Sequence, residues 1–79
     1  MFMNKTYERS VADLKIGEKA IIKNIKSAEL QLKLMEMGCL PGEEIQVIKI
    51  APLTDPIAVV VADYNLSLRI SEAAEIIVD

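Results

Sequence analysis

The sequence has no histidine and no tryptophan, one phenylalanine, and a single cysteine, Cys39. Without histidine there is no ordinary proton shuttle near neutral pH, and Ser-His or Cys-His nucleophile pairs are excluded. A lone cysteine cannot close a disulfide within the chain, so a cytoplasmic location is the natural expectation. No apolar run approaches the roughly 18 residues that a spanning helix needs, and direct membrane insertion is not expected. The opening Met-Phe-Met-Asn-Lys lacks the apolar centre of a signal peptide. The three glycines, at 17, 38 and 42, form neither a phosphate-cradling loop nor a dinucleotide fingerprint. Glu43 and Glu44 are adjacent, and neighbours on a strand point apart, which suits them poorly to shared acid–base work. An enzyme is therefore not expected.

What is present is aliphatic. Of 79 residues, 52% are hydrophobic and only 4% aromatic, so branched aliphatic side chains must form the core. A chain this short makes one domain and buries only about 60% of the surface its unfolded form exposes. The net charge of −3 is unevenly spread. Residues 1–33 hold seven of the nine basic residues against four acids, whereas residues 34–79 hold Lys49 and Arg69 against eight acids. An overall acidic balance argues against a nucleic-acid partner, because phosphate binding rests on a basic surplus.

Along the chain, residues 1–10 show no periodicity and read as a loosely held arm, with Phe2 or Tyr7 as its apolar contacts; residues 11–79 form the domain. Lys19–Ile25 is rich in β-branched residues and reads as the first strand. Ser27 is placed to cap a helix of about three turns, with Glu29 in its first turn and Leu30, Leu34 and Met37 on its inner face. Met35 is expected to be partly exposed. Gly38 and Pro41 stop that helix. Glu44–Ile50 is the second strand, and its apolar positions change face between Val47 and Ile48, as a bulge would require. Residues 57–62 form the third strand, Asp63-Tyr64-Asn65 the next turn, and Leu66, Leu68 and Ile70 the inner face of a fourth strand. Ser71 is expected to cap a short helical turn before a last strand, Ile76–Val78. Five short strands, one helix and tight connections indicate a mostly β domain, a small closed barrel.

Two groups of residues are candidates for function. Glu36, Met37, Cys39 and Glu43 cluster in sequence, and carboxylates with a thiolate could take ferrous iron. Against that, Cys39 sits between Gly38 and Leu40, where a small packing residue is the simpler reading. Glu36, Cys39 and Glu43 thus remain metal candidates, no cofactor being required and a weakly held divalent ion being the alternative. The second group is Pro52-Leu53-Thr54-Asp55-Pro56, a loop stiffened by two prolines that would lose little entropy on docking; the alternative is that the prolines only shape the hairpin and block edge pairing.

The order of these segments resembles the FeoA family, ferrous iron transport protein A. The resemblance covers about residues 11–78. It is carried by Asp13-Leu14-Lys15-Ile16-Gly17, the Ala20–Ile25 strand and the run Leu34-Met35-Glu36-Met37-Gly38-Cys39-Leu40-Pro41-Gly42. Next come Ile45–Ile50, the Ala51–Ile57 loop, and Leu66-Ser67-Leu68-Arg69 followed by Glu72-Ala73 and Ile76. Cys39 stands where the family often has leucine or phenylalanine, and Thr54 where it often has glycine. The resemblance implies a five-stranded SH3-like barrel. It also implies a cytosolic accessory of the membrane ferrous iron transporter FeoB, acting by protein–protein docking. The docking surface is expected on the helix face and at Leu40, Pro41 and Gly42 together with Pro52, Leu53, Thr54, Asp55 and Pro56. Two alternatives stay open: a module sensing a divalent transition metal, and a regulatory domain related to the C-terminal modules of iron-dependent repressors. The oligomeric state stays open as well.

Overall fold

The computed structural model describes residues 8–51 and 55–79. Phe2, Tyr7 and the loop residues Pro52, Leu53 and Thr54 lie outside the described residues. A 3₁₀ turn, Val11–Asp13, leads into β1 (Lys19–Ile25), α1 (Ala28–Met35), β2 (Glu44–Ile50), β3 (Ile57–Val61), β4 (Tyr64–Leu68), α2 (Ile70–Ala73) and β5 (Ile76–Val78). The strands form one antiparallel sheet in the order β4-β3-β2-β1-β5.

β1 curls this sheet. Its first half pairs with β2, Lys19 opposite Gln46 and Ile21 opposite Glu44, while its second half pairs with β5, Ile22 opposite Val78 and Ile25 opposite Ile76. A register shift between Ile22 and Asn24 makes the bend, and a second, between Val47 and Lys49, stands where the change of face in β2 requires one. The inner faces of the strands and the inner side of α1 enclose one aliphatic core. Ile22, Leu34, Ile45, Ile57 and Ile76 are each 1% exposed or less.

The expected closed barrel is corrected in one respect: β4 and β5 form no ladder with each other. β5 has only three residues and spends them on β1, and α2 connects the two edge strands along the chain.

α1 begins as its sequence indicates, with the Leu30 amide donating to Ser27 Oγ at 3.1 Å. It is shorter than expected, eight residues or a little over two turns. Because the helix ends at Met35, Met37 leaves the helical stripe and is 38% exposed instead of joining the core; Met35 is half exposed.

Three further expectations change at the second hairpin. The β3–β4 turn is Ala62-Asp63, both with positive φ (50° and 68°), so Tyr64 and Asn65 belong to β4 and not to the turn. β4 ends at Leu68, and Ile70 starts α2 instead of extending the strand. Ser71 is inside α2 and does not cap it: Glu72 accepts from the Arg69 amide at 2.9 Å and Asp55 accepts from the Ile70 amide at 3.0 Å.

The chain before the 3₁₀ turn is bound at residues 9 and 10. Ser10 is 6% exposed and bridges to Ile77, while Arg9 donates to Glu18 at 2.8 Å and to the Asp79 backbone carbonyl at 2.8 and 3.1 Å.

Candidate docking surface

Gly38, three residues past the end of α1, has φ +80°, a conformation open to glycine, and turns the chain toward Leu40-Pro41-Gly42. The Gly38, Cys39 and Met37 amides all donate back to the last carbonyls of α1, those of Met35 and Leu34. The turn that follows is pinned from below: the Gly42 amide donates to the Ile22 carbonyl at 2.8 Å and the Glu43 amide to that of Leu40 at 3.1 Å. Leu40, Pro41 and Gly42 are exposed at the start of β2.

The other half of the expected surface lies elsewhere. Asp55 and Pro56 are exposed just before β3, beside the far end of β2. Seven strand residues separate the two turns, roughly 20 Å of extended chain. The structure therefore does not bring Leu40-Pro41-Gly42 and Asp55-Pro56 into one patch. Asp55 is instead joined to α2 through the Ile70 amide.

Sequence reasoning missed the residue that does join the first turn's neighbourhood. Tyr64, 57% exposed, starts β4, and its ring lies against Gly38. α1 leaves Leu32 (61%) and Met35 exposed, and the chain that follows it leaves Met37 and Leu40 exposed. Large aliphatic and aromatic side chains left in solvent near one helix end form the kind of surface that partner proteins cover. The available signal was the apolar excess on α1, where Leu32 and Met35 fall off the stripe set by Leu30 and Leu34.

The metal candidates are not assembled. Cys39 is 1% exposed, and burial pushes its thiol up from the ordinary range, with Glu43 adding to the shift. A metal-binding thiolate is disfavoured there. Glu36 is exposed at the helix end. Among the described residues, no three histidine, cysteine or carboxylate side chains come together as a metal site. No helix among them is long and apolar enough to cross a membrane.

A groove runs beside the helix. It is lined by Leu30, Lys33, Leu34 and Met37 of α1 and its end, by Asn65–Leu68 of β4, and by Glu72. Lys33 meets Glu72 at 3.4 Å, at the α2 end of this groove, while Tyr64 meets Gly38 at the other end. α1 therefore runs antiparallel to β4.

Comparison with known proteins adds the following. Residues 9–79 match the model of the FeoA domain. A fusion of Fe(2+) transport protein A with the Fe(2+) transporter FeoB, from Porphyromonas gingivalis, is 36% identical over 70 residues. These are 87% of this chain and 8% of the fusion protein, so the chain spans a small part of that relative. The solution structure of the FeoA protein of Chlorobium tepidum superposes with a TM-score of 0.84 at 31% identity, over 89% of this chain and 68% of the other. The crystal structure of Stenotrophomonas maltophilia FeoA complexed with zinc, described as a prokaryotic SH3 domain protein, gives 0.79 at 26% identity, over 90% and 89%. The curled sheet described above is thus SH3-like.

Proposed function

The chain belongs to the FeoA domain family, and from that premise we propose that it serves ferrous iron uptake as a non-enzymatic cytoplasmic accessory that docks on the cytosolic side of a FeoB transporter. One observation carries this reading: in the Porphyromonas gingivalis relative, a transport protein A region and a FeoB transporter are parts of one polypeptide. Covalent linkage holds two modules at high effective concentration, and this gives them the opportunity to engage each other. The exposed Met37, Leu40 and Tyr64 supply an apolar surface of the type such docking uses. The iron is the transporter's cargo in this reading, and the chain acts through its outer surface.

The test is calorimetric titration of the purified chain with the cytosolic region of its cognate transporter. Saturable binding that Leu40→Asp weakens is the expected outcome. No heat and no co-elution at about 100 μM, far above ordinary regulatory affinities, would remove the reading.

A further inference from the structure

We propose that the open edge of β4 is a strand-binding groove, taking an extended segment of the partner that carries apolar residues at alternate positions and a lysine or arginine near the α2 end. This rests on the docking reading above and gives it a mode of recognition.

The β3–β4 hairpin fixes which backbone groups are free. Its two-residue turn makes Val61 and Tyr64 a pair that exchanges both hydrogen bonds, and the alternation of an antiparallel ladder then continues through Val59–Leu66 and Ile57–Leu68. The amides and carbonyls of Asn65 and Ser67 consequently point away from β3. β4 is an edge strand, and among the described residues nothing bonds to these outward groups. An unpaired edge of this kind is a template for another strand.

The groove makes that edge selective. A strand laid along Asn65–Ser67 places every second side chain over Leu30, Leu34, Leu66 and Met37. The space there, about 150 Å³, accommodates one ring or branched aliphatic side chain. At its α2 end the groove opens into a shallower cleft that adds Glu29 and Glu75 to Glu72, with Lys33 as the counter-charge already paired to Glu72. Arg69, which follows β4, also acts on Glu72, so three carboxylates face two cations; the surplus is still negative, and a basic side chain on the incoming segment is its complement. The same edge runs from the Tyr64 end to the end where Asp55 meets Ile70. A bound strand thus links the two turns that the sheet holds apart.

The experiment is amide NMR on the intact chain, titrated first with the cytosolic region of the cognate transporter and then with overlapping 12-residue peptides covering it. The expected result is slowed exchange at the Asn65 and Ser67 amides with one peptide that alternates apolar residues and carries a basic one. Ser67→Pro removes an outward N–H and leaves the β3 ladder intact, so it is expected to keep the native spectrum and bind about tenfold more weakly. Asn65→Pro is the second variant, should Ser67→Pro disturb the fold. Charge reversal at the peptide's basic residue is expected to cost a similar factor. If the whole region binds but Asn65 and Ser67 do not respond and both proline variants bind normally, strand addition is overturned while docking stands. If the region does not bind at all, both fall.

Discussion

The Tyr64 ring packs against the end of α1 at Gly38, with its edge 3.9 Å from where a β-carbon on that glycine would sit. That separation is ordinary van der Waals contact, so space does not demand glycine there. Backbone conformation does: at φ +80° a side chain meets its own backbone.

Gly38→Val is therefore expected to destabilise the domain by about 1–2 kcal/mol, the cost of a β-branched residue in a left-handed conformation. Gly38→Asn, which tolerates that region, is expected to cost less. Urea unfolding of the three proteins checks this, and equal midpoints would mean that the helix does not terminate as described.

Ser27→Ala removes the acceptor of the Leu30 amide at 3.1 Å and leaves the first turn of α1 with an unsatisfied donor. The expected loss is about 1 kcal/mol, with Ser27→Asp recovering most of it. A thermal melt that does not move for the alanine variant would assign the start of α1 to packing alone.

Local chemistry made much of this fold legible. β1 and β2 carry runs of β-branched residues flanked by turn formers, Gly17 and Ser27 for β1 and Gly42 and Pro52 for β2, and Ser27 stands one residue before the first helical position. Where the structure departs from the local pattern, the deciding partner is distant. Asp-Tyr-Asn has the composition of a turn, yet pairing Val61 with Tyr64 puts the turn one residue earlier and keeps Leu68 inside. α2 starts at Ile70 because Asp55, fifteen residues earlier, accepts its amide. The candidate surface divides the same way. The exposure of Leu40-Pro41-Gly42 follows from turn chemistry. The distance from it to Asp55-Pro56 follows from the length of β2, and the proximity of Tyr64 to Gly38 follows from how α1 lies across the sheet.

Two carboxylates tie stability to pH. The Glu18 carboxyl is held below its ordinary value by the Lys15 backbone amide and then by the Arg9 guanidinium; that of Glu72 is held down by the Arg69 backbone amide and then by Lys33. A carboxylate depressed in the folded state contributes stability that is present above its unfolded value, near 4.5, and is lost as pH falls through the folded value. Unfolding free energy is expected to be level between about pH 5 and 8 and to drop below about 4.5, with a shallower drop in Glu18→Gln combined with Glu72→Gln. An unchanged slope in the double variant would place the acid sensitivity elsewhere.

Cys39 reports on opening of the core. Its thiol is buried and pushed up by desolvation and then by Glu43, so the reactive thiolate is scarce in the folded state. Alkylation by iodoacetamide at mild alkaline pH is expected to be on the order of a hundredfold slower in buffer than in denaturant, and to accelerate in Gly38→Val as opening becomes easier. Labelling at the denatured rate in native buffer would show that Cys39 is reachable without opening.

Tyr64 is the side chain whose loss is expected to separate binding from folding. It is 57% exposed, so Tyr64→Ala removes little buried area and is expected to shift stability by less than about 1 kcal/mol. Rigid aromatic side chains on exposed apolar surfaces dominate interface energies, so the same change is expected to weaken transporter binding by about tenfold or more. Ile16 provides the control. It is 62% exposed in the turn before β1, and β2 and β3 separate β1 from β4 in the sheet. Ile16→Ser removes an equally prominent apolar side chain next to β1 and is expected to leave binding unchanged. If Ile16→Ser weakens binding while Tyr64→Ala does not, the docking surface lies on the β1 side, and the helix-end patch is ordinary exposed surface.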